Sequence, residues 1–345
     1  MSETNLPQNP MEVPPPMALL QMISGGWISQ AIYVAAKLGI ADLLKDGPKS
    51  SQELAETTGM DARSLYRVLR ALASLGVFAE SEEGDFNLTP LSACLQTDVP
   101  GSMRYAAIMF GEEFHRQSWS NILHSVKTGK TAFGHVFGME AFDYFTQNPE
   151  AGQIFDRAMT NFSGMLTVNI AAHYDFSSVR KIVDIAGGQG TLISQILKAN
   201  PTMEGILFDL PQTIERAKPF IEAQGISDRC ELVSGNFFES VPTGGDAYMM
   251  KHIIHDWDDE QAIAILKNCH QAMGENGKLL LVEIIIQPGN QTSLAKLSDL
   301  EMLVMAGGRE RTEAEYRALF TAAGFRLSNI FNTKSQMNII EGVPV

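Results

Sequence analysis

Between Lys181 and Ile286, five short β-type runs alternate with helical stretches, and no other feature constrains the fold as tightly. The runs are Lys181–Ala186, Gly205–Leu210, Cys230–Ser234, Ala247–His252 and Lys278–Ile286. Strands separated by helical connections pair in parallel with crossover helices, so an α/β sheet is expected. The pattern then changes: Phe325–Asn332 and Gln336–Val343 are adjacent β runs joined by the polar stretch Thr333–Ser335. They predict an antiparallel hairpin closing an otherwise parallel sheet.

The first strand runs through Ala186, Gly187, Gly188, Gln189 and Gly190 into a helix from about Thr191. Glycines at such a turn let backbone approach a ligand closely and aim helix N-terminal amides at it. A dinucleotide fingerprint would place Gly or Ala three residues after Gly190, and Ile193 stands there instead. Asp184, just before the glycines, would repel a pyrophosphate and suits a ligand with a cationic portion. Asp209 ends the second strand, where a carboxylate accepts hydrogen bonds from both hydroxyls of a ribose; the plainer reading is a cap for the helix entered through Pro211. Gly235, Asn236, Phe237 and Phe238 end the third strand, as an adenine contact or as a turn carrying two core phenylalanines. Three consecutive tips of this kind together point to a nucleoside-type ligand.

Chemistry concentrates at the fourth tip, from Lys251 to Glu260, where open α/β sheets bind their ligands. Histidine and aspartate are possible metal ligands. However, no HxxxH helix pair or Cys/His set is present, and Asp258–Glu260 suits a helix cap, so no metal is expected. Glu283 interrupts the apolar run Leu279–Ile286, where an unpaired charge would be costly, so it is expected to face a site. Glu310 precedes the helix Glu313–Ala323, where the helix dipole would also favour a surface acid. A histidine oriented by carboxylates is the usual form of a general base, and His255 with Glu283 and Glu310 can make one. It would take a proton from a hydroxyl of modest acidity, such as a phenol.

The N-terminal third reads differently. After an extended, proline-rich arm over residues 1–16, apolar residues recur at helical spacing from Met17 to about Gly39. Ser50 or Ser51 caps a helix to Thr58, Asp61 caps another that stops near Gly76, and Val77–Ala79 with Phe86–Leu88 form a hairpin. That order is a winged helix, expected over residues 17–100. Arg63, Arg67 and Arg70 share one helix face, yet the first 100 residues carry six basic against twelve acidic side chains. The whole chain of 345 residues has a formal charge of −14, which disfavours nucleic acid and anionic membranes as partners. The apolar first helix suits a dimer interface instead. Residues 101–175 read as a helical segment with a loop marked by Gly129, Gly134 and Gly138, and residues 176–345 as the sheet domain. Cys94, Cys230 and Cys269 give neither a disulfide framework nor a zinc site, favouring a reducing cytoplasm. No signal peptide or membrane-spanning run of about 18 apolar residues is seen.

The stretches VDIAGGQG (183–190), LFDLP (207–211), GNFF (235–238), KHIIHDWDDE (251–260), LLLVE (279–283) and GGRERT (307–312) occur in an order and spacing that resemble a known family. It is the metal-independent small-molecule O-methyltransferases of the caffeate and hydroxyindole type, which use S-adenosylmethionine. The resemblance covers nearly the whole chain beyond the arm, including TAFGHVFGMEAFDYF (131–145). It implies a Rossmann-like class I methyltransferase sheet with an N-terminal winged-helix dimerisation domain, a homodimer, and a small hydroxylated acceptor.

By resemblance, His255 is the base with Glu283 and Glu310 as its flanking carboxylates. Asp184, Gly187, Gly188, Gly190, Asp209, Leu210, Asn236, Phe237, Lys251 and Ser163 fall at cofactor positions. Met159, Phe162, Asp256, Met302 and Met305 fall near the acceptor. Ala186 stands where the family often has Gly, and Asn236 where it usually has Asp. Phe162 and Met305 replace polar residues of plant members, which implies a more apolar pocket. Three other readings remain open: a nicotinamide oxidoreductase, a ligand-sensing winged-helix regulator, and a relative that methylates nitrogen or does non-methylating chemistry on the same cofactor.

Overall fold

The computed structural model describes residues 14–167, 170–333 and 337–345; the side chains of residues 163–169 and 171 are outside the described set. Most of the N-terminal arm and part of the Thr333–Ser335 connection therefore lie outside the described residues. The chain divides into two compact units, one ending at Gly111 and the other running from Glu112 to Val345.

The first unit begins with α1 (Pro15–Ile23) and α2 (Gly25–Lys37). The apolar periodicity predicts one helix here, but the chain breaks at Ser24. Two glycines follow it, Gly25 and Gly26, and glycine is a poor helix former. After α3 (Ile40–Leu43) and β1 (Lys49–Ser50) comes α4 (Ser51–Thr58), which Ser50 and Glu53 start with a reciprocal capping box. Asp61 then caps α5 (Ala62–Ser74), and β2 (Phe78–Glu80) and β3 (Asp85–Leu88) complete a small antiparallel sheet in the order β1-β3-β2. The expected winged-helix order is present. Helix α5 buries Leu65, Leu69 and Leu72, while Arg63, Arg67 and Arg70 lie exposed. Beyond α6 (Pro90–Ala93), α7 (Arg104–Gly111) packs on α2. The fit is close: a Cβ on Gly111 would lie 2.1 Å from the ring of Tyr33. Helix α1 buries nothing, and Met17, Leu20, Met22, Ile23 and, on α2, Trp27 are each more than half exposed.

The second unit opens with α8 (Glu113–Ser120), α9 (Ile122–Thr128), α10 (Ala132–Phe137), α11 (Ala141–Gln147), α12 (Pro149–Thr167) and α13 (Ile170–His173). The loop expected at Gly129, Gly134 and Gly138 is instead the short helix α10. Gly134 lies inside it, and left-handed Gly129 and Gly138 end α9 and α10 respectively.

The sheet follows: β4 (Lys181–Ile185), β5 (Glu204–Asp209), β6 (Cys230–Ser234), β7 (Ala247–Lys251) and β8 (Lys278–Ile284) are parallel, and β9 (Phe325–Asn332) with β10 (Met337–Pro344) is antiparallel. Strand order is β6-β5-β4-β7-β8-β10-β9. Side chains alternate between two cores, Ile182, Leu207, Met249 and Leu280 on one face and Val183, Ile206, Tyr248 and Leu281 on the other. The helices α14 (Thr191–Ala199), α15 (Pro211–Ala223), α16 (Asp259–Ala272), α17 (Leu294–Met305) and α18 (Glu313–Ala322) complete the unit. From β4 the chain moves outward to β5 and β6, then returns to β7 on the other side, so the order reverses between β4 and β7. Their carboxyl ends frame the crevice in which doubly wound sheets bind ligands. Among the described residues, no helix is long and apolar enough to cross a membrane.

Candidate active site

At the tip of β4 the backbone turns through Ala186, whose φ of 53° lies in the left-handed region that residues with a Cβ rarely adopt. The amide of Ala186 donates to the Phe208 carbonyl at 2.7 Å, which holds the turn against β5. Gly187 follows with no room for a side chain: a Cβ there would meet Asp184 Oδ2 and Leu207 Cδ1 at 2.5 Å each. Gly190 begins α14 in the left-handed region. The glycine turn thus folds directly over the buried Asp184, whose Oδ2 has no hydrogen-bond partner.

Asp209 connects two of the tips. Its Oδ2 accepts from the Gly188 amide at 2.9 Å and its Oδ1 from the Leu210 amide at 2.7 Å. Leu210, not Asp209, occupies the cap position of α15, and it makes no side-chain cap. The carboxylate therefore ties the β4 turn to the β5 turn, and the Thr213 side chain in the first turn of α15 reaches it as well. Burial raises the Asp209 pKa, against the pull of those amides. Burial also pushes Asp184 up to about 7, with Lys251 opposing the rise. Lys251 at the end of β7 is pushed down to about 8 by the same loss of water, with Asp184 and Glu283 resisting. At the β6 tip, Asn236 Oδ1 accepts from the Phe238 amide at 3.0 Å, which is the turn reading. Phe237 is half-buried beside it and packs edge-on to Trp257, with ring centroids 5.9 Å apart.

Beyond β7 the chain passes through His252, also left-handed at φ 52°, into a 3₁₀ turn over Ile254–Asp256 that carries His255. Charged groups hold this turn by its backbone. Glu283, wholly buried at the end of β8, accepts from the amides of Ile253 at 3.1 Å and Ile254 at 3.0 Å. Arg311, equally buried, donates to the carbonyls of Ile254 at 2.9 Å and Trp257 at 2.8 Å, and to Asp259 Oδ1 at 2.9 Å. Gly308 lies so close beneath that a Cβ would be 2.0 Å from the His255 carbonyl oxygen.

The imidazole itself is oriented by Glu310: His255 Nδ1 and Glu310 Oε1 are 2.9 Å apart. Ser298 Oγ donates to the same oxygen at 2.7 Å, and the Glu310 amide donates to Asp299 Oδ1 at 2.9 Å. A carboxylate at Nδ1 makes that nitrogen the donor, so Nε2 carries the lone pair when the ring is neutral. Glu283 does not share this role. It was expected to flank the ring as a hydrogen-bond partner, but its bonds go to backbone amides and it acts on His255 through its charge. Asp256, expected to face an acceptor, lies with Oδ1 3.5 Å from Nε2. Burial lowers the His255 pKa, but the charges of Asp256, Glu283 and Glu310 outweigh it and raise the group to about 10. Burial pushes Glu283 up to about 7 and Asp256 to about 6, in both cases against the opposing charge of His255. One donor atom each from His252, His255 and Glu283 lies within 4.8 Å of the others.

The other expected acceptor residues sit on two helices. Ser298, Met302 and Met305 follow at i, i+4 and i+7 along α17, so both methionines share the face that reaches Glu310. Met159 and Phe162 are half-buried on α12, which Arg216 of α15 ties down through Asp156 at 2.9 Å. Ser163 belongs to α12, and its side chain is outside the described set. Trp257 forms an aromatic wall beside the His255 turn, stacked with Phe142 at 5.9 Å and edge-on to Phe238 at 4.8 Å. The supporting residues Ser298, Asp299, Gly308 and Arg311 give no local sequence signal beyond the GGRERT string, because their partners are 11 to 57 residues away.

Known proteins place this architecture. Residues 119–326 match the O-methyltransferase domain and residues 20–98 the O-methyltransferase dimerisation domain. The chain is 46% identical to a phenazine O-methyltransferase of Lysobacter antibioticus, over 96% of this chain and 97% of that one. It is 31% identical to a phenazine-1-carboxylate N-methyltransferase of Pseudomonas aeruginosa, over 93% and 95%. It also resembles the crystal structure of CalO1, a methyltransferase of calicheamicin biosynthesis with S-adenosylhomocysteine bound, at 34% identity and a TM-score of 0.83, covering 96% of this chain and 98% of that one. The chain belongs to the O-methyltransferase family and is a methyltransferase.

Proposed function

We propose that this enzyme transfers the methyl group of S-adenosylmethionine to a hydroxyl, phenolic in character, of a small planar aromatic acceptor, with His255 as general base. The residues fit that cofactor. Asp184 offers a buried oxygen without a partner beneath the glycine turn, suited to a ligand bearing an ammonium and a sulfonium. The Gly187 turn with Gly188 and Gly190, Asp209 with Leu210, Asn236 with Phe237, and Lys251 with Ser163 of α12 are the groups that would hold it. When bound, the cofactor supplies an electrophilic methyl group on a positively charged sulfur.

The chain's own residues do the rest. Register pairs Asp184 with Met249, so the turn after β7 rises beside the glycine turn. His255 takes the hydroxyl proton on Nε2 while Glu310 holds Nδ1–H and stabilises the imidazolium. Asp256 and Glu283 add negative charge around the ring, which makes it a strong base. Positioning supplies much of the acceleration, because the turn is fixed from both sides by Glu283 and Arg311. Met159, Phe162, Met302, Met305 and the Trp257 wall suit a flat, apolar ring system.

The observation that carries oxygen over nitrogen is the His255–Glu310 pair. A hydroxyl must lose a proton as it attacks, whereas an aromatic nitrogen attacks through a lone pair it already has. The dimerisation match and the bare apolar face of α1 support a homodimer formed through the first unit. The free cysteines Cys94, Cys230 and Cys269 suit work in a reducing cytoplasm. The test is a methyl-transfer screen across hydroxylated aromatics, phenazines included, with a chelator present and product regiochemistry read by NMR. Transfer to oxygen is expected; products methylated only on nitrogen would overturn the reading.

A further inference from the structure

The reaction proposed above uses one imidazole, yet two imidazoles and a carboxylate converge at the turn after β7. The geometry points to a site for a borderline divalent metal ion, Zn²⁺ or Ni²⁺, formed by His252, His255 and Glu283, whose occupation switches methyl transfer off. Their donor atoms lie within 4.8 Å of one another. Zn–N bonds of about 2.0 Å put neighbouring ligand atoms roughly 3.3 Å apart in a tetrahedron, so the three need to close by no more than about 1.5 Å. Two nitrogens and one oxygen select Zn²⁺ or Ni²⁺ over Mg²⁺ and Ca²⁺.

Three further features fit. Glu283 is wholly buried and its Oε2 has no hydrogen-bond partner among the protein groups, so a buried acceptor is already present. A histidine that binds a metal through one nitrogen commonly gives its other N–H to a carboxylate, and Glu310 already takes Nδ1 of His255 at 2.9 Å. His252 is held at φ 52°, a conformation rare for a residue with a Cβ, and that backbone sets its ring centroid 4.9 Å from that of His255. Three protein ligands leave a fourth position for water.

Inhibition follows from where the ion sits. Because Glu310 engages Nδ1, the nitrogen of His255 left for the ion is Nε2, whose lone pair the acceptor proton requires, and the ion's charge repels the incoming sulfonium. The site itself stands on geometry alone, while its inhibitory effect rests on the reading of His255 as base.

The experiment uses the chelator-treated full-length enzyme. Co²⁺ should give the visible absorption of a low-symmetry, nitrogen-rich site at one equivalent. Zn²⁺ should abolish transfer reversibly with EDTA, and Mg²⁺ should do nothing. His252→Phe keeps a ring of similar size and should retain transfer, lose the cobalt band, and need at least about tenfold more Zn²⁺ for the same inhibition. No cobalt band in the wild type, equal zinc sensitivity in His252→Phe, or stimulation by Zn²⁺ would each overturn the proposal. Failure of the base reading is separable: transfer would then survive His255→Ala while the cobalt band disappeared.

Discussion

Helix α1 in the first unit leaves Met17, Leu20, Met22 and Ile23 more than half exposed, whereas the tips of β4 and β8 in the second unit bury Asp184 and Glu283 completely. Ordinary burial would exchange them, since apolar side chains gain by leaving water and carboxylates lose. In the first unit the departure marks a surface that another molecule completes. In the second it marks the carboxyl groups that the proposed function uses, Asp184 toward the cofactor and Glu283 under the His255 turn. A domain that violates burial outward is built for a partner, and one that violates it inward is built for chemistry.

The sharpest way to test the inward half is His255→Ala, which should lower turnover by about 10²–10⁴ while calorimetric cofactor binding persists. Near-wild-type turnover would break the comparison, because the buried carboxylate at the tip of β8 would then have no base to serve. Glu310→Gln should lower turnover by about 10–100-fold. It should also move the pH profile. The base must be unprotonated, and its raised pKa places the rising limb of rate against pH above the ordinary histidine value near 6.5. Removing one negative charge lowers that pKa, so the limb should shift to lower pH; an unmoved limb would assign it to another group. Asp209→Ala unties the Gly188 and Leu210 amides and should weaken cofactor binding by about tenfold or more, roughly 1.4 kcal/mol.

The outward half is tested by a paired substitution, Leu20→Asp with Ile23→Asp on α1. Light scattering should show the dimer replaced by monomer, since a charge placed in an apolar interface has no partner. Smallest of all, Arg67→Glu on the exposed face of α5 should change stability by no more than about 0.5 kcal/mol in thermal unfolding, and leave transfer intact.

Much of this was legible along the chain. Strand runs could be read at β4, β7 and β8 because parallel strands buried on both faces are nearly continuous apolar segments, and the edge strands β6 and β9 also fall on their expected bounds. Caps were legible at Ser50, Asp61 and Asp258 because a capping side chain acts within three residues of itself. The break at Ser24 was hidden by an apolar periodicity that runs through it, and helix α10 by glycines that end helices as readily as they mark loops. At the site, His255 and Glu310 stood out by type, but the division of labour did not. Whether Glu283 binds an imidazole or two amides depends on the path of residues 252–254, and nothing near Glu283 in sequence encodes that path. Ser298 and Arg311 likewise become visible only once Glu310, which the first bonds, and the turn, which the second braces, have positions.

The placement of Trp257 has a practical consequence. Its indole stands on the turn that carries His255, walled by Phe142, Phe237 and Phe238, and the chain holds only three tryptophans. If the proposed flat acceptor arrives against that wall, it changes the polarity and the quenching that this indole feels, and the indole's fluorescence becomes an intrinsic optical gauge of occupancy, readable in stopped flow without any label.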